Sequence, residues 1–379
     1  MAALPLTTAE YIGDGDTLRS LVEWLKNESL IAVDTESNSL YAYQEQVCLI
    51  QFSTRSADFI IDPLTIDDLS AFGQLMANDN IEKVFHAAEY DITCMKRDFG
   101  FEFRNIFDTM IAARICGLEA YGLGAILDTY FGIAVDKSHQ LDNWGARPLG
   151  DESLAYAQMD THFLPYLRDE LYRELQRQGR LAESREAFEE VTYVPAAALR
   201  VFDVNGFWKL SRSRALTPLQ LRILRELYHL REDLARQEWK PPFKVISNRV
   251  LVALALDGPK SIKALQNTGL LNDNQLDTYG KAVVAAIRRG KKSKHTPVPP
   301  EPEPLDPDIT ERYAALHLWR KERALQRGVE SDVIISKQIL WNLAQQVPRS
   351  VEDLHDIEGI GPWRMQTYGQ EIIDVLNRY

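Results

Sequence analysis

The chain has 379 residues, 45% of them hydrophobic and 26% charged, with a formal net charge of −12. Those values fit a well-folded protein of two or three domains and exclude a disordered or fibrous chain. No run approaches the roughly 20 apolar residues of a membrane helix, so no membrane partner is expected. The segment Met1 to Tyr11 lacks the basic start and apolar stretch of a signal peptide. Cys48, Cys94 and Cys116 fit neither a zinc site nor a disulfide framework; all three read as buried packing residues in a reducing, cytoplasmic compartment. The acidity leaves a nucleic-acid partner open, because a nuclease built on carboxylates carries negative charge that its metal ions neutralise.

The first 200 or so residues read as α/β. Strand-length apolar runs fall at 30–33, 47–52, 59–61 and 83–86, and helical periodicity at 17–27, 66–76, 89–99 and 108–115. Neighbouring strands come first and then alternate with helices, which predicts a mixed sheet flanked by helices. After about Phe202 strand signals vanish, and 217–237 and 248–256 are rich in helix formers. Pro297, Pro299, Pro300, Pro302, Pro304 and Pro307 then mark an exposed, semi-rigid linker. A second all-helical stretch closes the chain.

The two helical stretches repeat each other at a constant shift of 89 residues. Leu251 maps to Leu340, Arg231 to Arg320, Ser247 to Ser336, Pro259 to Pro348, Ser261 to Ser350, and Thr278-Tyr279-Gly280 to Thr367-Tyr368-Gly369. One register that preserves Pro, Ser, Tyr and Gly points to duplication of a unit of roughly 70 to 80 residues. The domains are accordingly read as 1–205, 206–292, a linker over 293–308, and 309–379.

Three motifs carry chemistry. Asp34-Thr35-Glu36 ends the first strand, where residues two apart point to one face, so the two carboxylates project together. Such a pair is costly unless a cation lies between its members; a solvated strand end is the plain alternative. His86-Ala87-Ala88-Glu89-Tyr90-Asp91 places Asp91 at a helix start, where an acid also serves simply to stabilise the helix. Tyr156 and Asp160 stand one turn apart on a later helix, either as site residues or as a surface pair.

Taken together and in this order, the motifs resemble the DEDD exonuclease superfamily, in the subgroup whose last motif carries tyrosine. Trp144-Gly145-Ala146-Arg147-Pro148-Leu149 resembles the Trp-x-x-Arg-Pro-Leu stretch of the ribonuclease D family, and Lys137 upstream also fits. The two helical repeats look like HRDC domains. The resemblance implies an RNase H-like nuclease domain followed by two helical domains, and a 3′→5′ exoribonuclease. Its partners would be RNA 3′ ends, especially tRNA precursors and other small structured RNAs, shortened by one nucleoside 5′-monophosphate at a time. It implies a monomer, and two divalent cations, Mg²⁺ or Mn²⁺, held by Asp34, Glu36, Asp91 and Asp160, with Tyr156 orienting the attacking water. Relatives commonly carry Asn after the histidine of the second motif, where this chain has Ala87; little consequence is expected.

Several further residues have two readings. Gln51, Tyr41 and Trp144 are either nucleotide contacts or packing residues, and Arg147 is a phosphate contact or a structural ion pair. Lys281, Arg288, Arg289, Lys291, Lys292 and Lys294 form an acid-free run suited to phosphate or simply to solvent. Gly359-Ile360-Gly361 could offer backbone N–H groups to a phosphate or form a plain turn; the first helical copy lacks it. His86 is read as a structural hydrogen bonder. Two rival functions remain: a DNA exonuclease of the same superfamily, and a non-catalytic RNA-binding protein, whose signature would have been loss of a carboxylate.

Overall fold

This computed structural model describes residues 7–211, 216–294, 298 and 306–378. Its strands are β1 (Glu10–Ile12), β2 (Leu30–Ser37), β3 (Val47–Ser53), β4 (Asp58–Ile61), β5 (Glu82–Phe85) and β6 (Ile106–Asp108). Among and after them come α1 (Gly15–Leu25), α2 (Ser70–Met76), α3 (Glu89–Phe99), α4 (Thr109–Ile115), α5 (Leu123–Phe131), α6 (Asp151–His162), α7 (Leu164–Arg177) and α8 (Leu181–Thr192). The helical part continues with α9 (Phe207–Ser211), α10 (Pro218–Gln237), α11 (Pro242–Val245), α12 (Asn248–Asp257), α13 (Ile262–Asn267) and α14 (Asp273–Lys292). It closes with α15 (Pro307–Arg327), α16 (Ser331–Ile334), α17 (Lys337–Gln346), a 3₁₀ turn (Glu352–Asp356) and α18 (Pro362–Leu376).

The sheet is mixed, with strand order β1-β4-β3-β2-β5-β6. The β2–β3 and β3–β4 pairs are antiparallel, while β1–β4, β2–β5 and β5–β6 are parallel. All seven residues of β3 are buried, as a strand covered on both faces requires. On one face Val33, Phe52 and Phe59 pack with α1 to α3, the Phe52 and Phe59 rings stacking at 5.0 Å. On the other, Ala32, Val84 and Phe107 pack with α4 and α7. The expected mixed sheet flanked by helices is the fold found.

The differences are local. β1 and β6, three residues each at the two sheet edges, are too short to leave a periodic signal. Helical structure expected from Ile66 begins at Ser70; Ile66 and Leu69 enter the core from a turn in which Asp68 accepts the Ser70 N–H at 2.8 Å. Cys48 and Cys94 are buried, whereas Cys116 is only half-buried, at a helix end.

Two compact units result. The first joins the sheet, α1 to α8 and the C-terminal helices from α15 onward; the second joins Asn38–Gln46 with the chain from Leu199 through α14. In the second unit Arg200 pairs with Glu232 at 2.7 Å, Tyr43 stacks obliquely on Trp239, and the Lys244 ammonium lies 3.5 Å from the Tyr41 ring centre. Tyr41 is thus part of that packing.

The duplication is visible in three dimensions. Ser247 and Ser336 each cap a helix by accepting from the third residue along, at 3.3 Å. Arg231 and Arg320 each donate to a carbonyl fifteen residues ahead, Ile246 and Ile335, at 3.1 and 3.0 Å. Most of the linker expected over 293–308 lies outside the described residues, and Pro307 is already the first residue of α15.

Candidate active site

β2 carries Asp34 and Glu36 on one face, and α6 packs over β2, β3 and β4 on that face. Asp160 on α6 comes down beside them, so that one carboxylate oxygen from each of Asp34, Glu36 and Asp160 lies within 4.8 Å of the others. Tyr156, one turn earlier on α6, hydrogen-bonds Asp160. Asp91 is not in that trio. It sits buried in the first turn of α3, where the Thr35 hydroxyl, from the opposite face of β2, donates to it. Asp91 still acts electrostatically on Asp34.

These acids are held in their protonated direction. Burial, then Asp91, Asp160 and Glu36, push Asp34 well above the usual carboxylate range. Burial and the neighbouring carboxylates raise Glu36 to about 9. Burial raises Asp160 to about 7, against a lowering hydrogen bond from Tyr156, and raises Asp91 to about 7 against the one from Thr35. Burial and the nearby acids also raise the Tyr156 phenol. The opposing influences on Asp34 and Glu36 come from burial and other carboxylates, so the charge that would relieve them is a cation. An all-oxygen donor set suits a hard divalent ion that keeps part of its water. The residues present therefore fit the divalent metal that the resemblance implies.

A buried polar network fixes α6 on the sheet. Asp58 on β4 accepts from the Gln158 side-chain amide at 2.6 Å and faces the His162 Nδ1 at 2.8 Å, while Ser53 on β3 meets Thr161 at 2.8 Å. These α6 residues flank Asp160, so the network sets where that carboxylate stands. Sequence spacing did not single it out, because its members are ordinary polar residues brought together only by the sheet order.

Beside the trio, Gln51 on β3 is directly opposite Asp34. It is fully buried, and neither of its amide atoms has a partner among the described residues. Its side chain is enclosed within the protein beside the carboxylates. Trp144 is also buried and stacks behind Tyr156 at 6.2 Å, so it packs the site rather than receiving a base.

Residues 9–176 match the 3′-5′ exonuclease family, and residues 220–287 and 310–376 each match the HRDC domain. Ribonuclease D of Bartonella henselae is 28% identical over 361 residues, covering 93% of this chain and 86% of that protein. The exosome complex exonuclease RRP6 of Saccharomyces cerevisiae is 33% identical over 266 residues, 66% of this chain. The chain spans 36% of that relative's length. The crystal structure of Escherichia coli RNase D, at 23% identity, shares the fold with a TM-score of 0.65 over 98% of this chain and 100% of that one. The chain is a 3′-5′ exonuclease domain followed by two HRDC domains, and it is similar to a ribonuclease D over 93% of its length.

The ribonuclease D-like second motif has a backbone peculiarity. Ala87 has φ 65°, a left-handed conformation that costs an alanine about 1 kcal/mol and that asparagine tolerates better. An asparagine, which the resemblance leads one to expect at this position, would have a conformational advantage over Ala87. Asp108 offsets the cost by accepting the Ala88 N–H at 2.7 Å and the Ala87 N–H at 3.2 Å, while also capping α4. His86 bonds Thr109 at 2.9 Å, and burial lowers its pKa to about 4, in keeping with a structural role.

The expected RNA contacts divide. Arg147 spends its guanidinium inside the protein, on both oxygens of Asp62 and on the carbonyls of Trp144, Ala146 and Cys48, with the Asp62 contact at 2.5 Å. This is a correction: the ion-pair reading holds, since no N–H is left for a phosphate. In the first HRDC domain Arg288 and Lys292 are exposed, Arg289 pairs with Glu226 at 3.0 Å, and Lys291 donates to the Gly258 carbonyl.

The Gly359-Ile360-Gly361 turn is a second correction. The Glu186 carboxylate of α8 already stands at the start of α18, accepting the Trp363 N–H at 2.6 Å, and a Cβ on Gly361 would lie 2.3 Å from its carboxyl carbon. Arg364 seals the contact with Glu190 at 2.8 Å. The Trp363 and Arg364 N–H groups just after the turn hold this protein carboxylate, and within the turn the Ile360 N–H goes to the Ile357 carbonyl. In the first copy Asn272 caps the equivalent helix from within, in a capping box with Gln275.

Proposed function

We propose that the chain is a divalent-metal-dependent 3′→5′ exoribonuclease that trims the 3′ ends of tRNA precursors and other small structured RNAs, releasing nucleoside 5′-monophosphates. The convergence of Asp34, Glu36 and Asp160 within 4.8 Å, with Tyr156 bonded to Asp160, carries this reading. The RNA substrate is inferred from the names of the Bartonella and yeast relatives. A monomeric, cytoplasmic enzyme completes it; among the described residues no helix is long and apolar enough to cross a membrane.

Asp34, Glu36, Asp91 and Asp160 would hold two cations, Mg²⁺ or Mn²⁺, with Asp34 shared between them. Bound there, the ions would supply an activated water and charge stabilisation for the leaving 3′-oxygen. Tyr156 uses its hydroxyl to orient the attacking water, with proton abstraction only a secondary role. Thr35 fixes Asp91, and the Asp58 network fixes Asp160. The nuclease domain would end near 205, the first HRDC domain span 206–292 and the second 309–379. Of the RNA contacts, Arg288 and Lys292 of the first HRDC domain, together with Arg289 and Lys291, offer positive charge to backbone phosphates.

The test is digestion of a 5′-labelled single-stranded RNA with Mg²⁺ or Mn²⁺. The wild-type chain should give a ladder shortening from the 3′ end, absent with EDTA and in Asp34→Asn. Preferential digestion of a matched DNA strand would shift the reading to a DNA exonuclease. Tight RNA binding without cleavage would leave a binding protein.

A further inference from the structure

Gln51 is the most anomalous polar residue near the carboxylates. A buried, unpaired amide is costly, and such groups are rare in native proteins. Gln51 sits at the middle of β3, a strand with all seven residues buried, where an apolar side chain would pack without that cost. Both its carbonyl oxygen and its amide nitrogen lack a partner among the described residues. Its cross-strand neighbour is Asp34, and directly opposed residues of an antiparallel pair have Cβ atoms roughly 5 Å apart on the same face. On its other side is Ile60 of β4, which offers nothing polar.

We propose that Gln51 is a positioning residue for the metal centre. Its amide finds its partners in the hydrated, cation-bound state: the carbonyl oxygen accepts from a water of the ion's hydration shell, and the NH₂ donates to the Asp34 carboxylate. In that state the Asp34 carboxylate would be held in place and the unpaired amide of β3 satisfied. Outer partners of this kind commonly tune metal affinity and ligand orientation. The inference rests on the reading of the carboxylate cluster as a divalent-metal site.

The test compares the wild-type full chain with Gln51→Met, which keeps the volume and removes the polar atoms, and Gln51→Asn, which keeps an amide but shortens it. Mn²⁺ affinity is read by calorimetric titration and the melting temperature is read in EDTA. The expected result is Mn²⁺ binding weakened about 10- to 100-fold in Gln51→Met and to a lesser degree in Gln51→Asn. The metal-free melting temperature of Gln51→Met should equal or exceed that of the wild type, because an unpaired buried amide has been removed. A residue needed only for packing would show the reverse, lower metal-free stability with unchanged affinity, and that result overturns the inference. Wild-type and variant affinities within twofold of each other, in a wild type that binds Mn²⁺, also overturn it while leaving the metal site standing. A wild type that binds no Mn²⁺ overturns the metal-site reading itself.

Discussion

Glu186 of α8 accepts the backbone N–H of Trp363 at 2.6 Å, so a nuclease-domain carboxylate caps the last helix of the second HRDC domain. Gly361, the residue at the cap position, has no side chain for the purpose. Glu186→Ala should therefore remove a cap worth about 1 kcal/mol together with the ion pair to Arg364. Gly361→Ala should be at least as damaging, since its methyl would meet the Glu186 carboxyl group. Urea denaturation midpoints check both; unchanged midpoints would mean that the cap contributes nothing.

Asp34→Asn and Asp160→Asn should each cost at least about 100-fold in nuclease rate while RNA binding persists, since each removes charge from the trio. Tyr156→Phe should lower kcat by about 100-fold with little change in KM, because the hydroxyl acts on the water and not on the bound RNA. Initial rates measured over a range of RNA concentrations spanning KM separate the two effects.

Asp58 is outside the carboxylate trio but anchors α6 through Gln158 and His162. Asp58→Asn keeps the shape and mispairs one buried donor, so a loss of about 1–3 kcal/mol in stability is expected. Activity should fall more than stability at assay temperature explains, because Asp160 travels with α6. Activity of the folded variant equal to wild type would show that α6 holds its place without this network.

Ala87 invites a stabilising change. Ala87→Asn should add about 0.5–1 kcal/mol by easing the left-handed backbone at φ 65°. The denaturation midpoint should rise with no change in metal affinity. A fall would mean that no room exists there for the longer side chain.

The metal-free protein should lose stability as pH rises. Glu36 is raised to about 9, and Asp91 and Asp160 to about 7, so the folded chain holds protons that the unfolded chain has already released. Their contribution is fully present below the ordinary carboxylate range and is lost as pH climbs through 7 toward 9. His86, lowered to about 4, and Lys83, lowered to about 8, have the opposite sign but exert it below about 6.5 and above about 8. Between pH 6.5 and 8 the EDTA-treated melting temperature should therefore fall, and the gain on adding Mg²⁺ should grow. A flat or rising metal-free curve over that interval would contradict the raised values.

Much of this was legible in the chain alone. Asp34 and Glu36 share a face because strand geometry repeats every two residues, and Tyr156 and Asp160 share one because a helix turns every 3.6. The buried runs of β2 to β5 and the 89-residue repeat likewise follow from local periodicity. What the sequence could not supply was everything set by contacts between distant segments. Sheet order brought Asp160 to the strand pair, left Asp91 to Thr35, and put Gln51 against Asp34. The packing of α18 on α8 put the Glu186 carboxylate at the start of α18, against Gly361, and Asp62 claimed Arg147. Local periodicity fixes which way a side chain points; only the tertiary structure decides which partner is waiting there, because hydrogen-bond and charge satisfaction depend on residues remote in sequence.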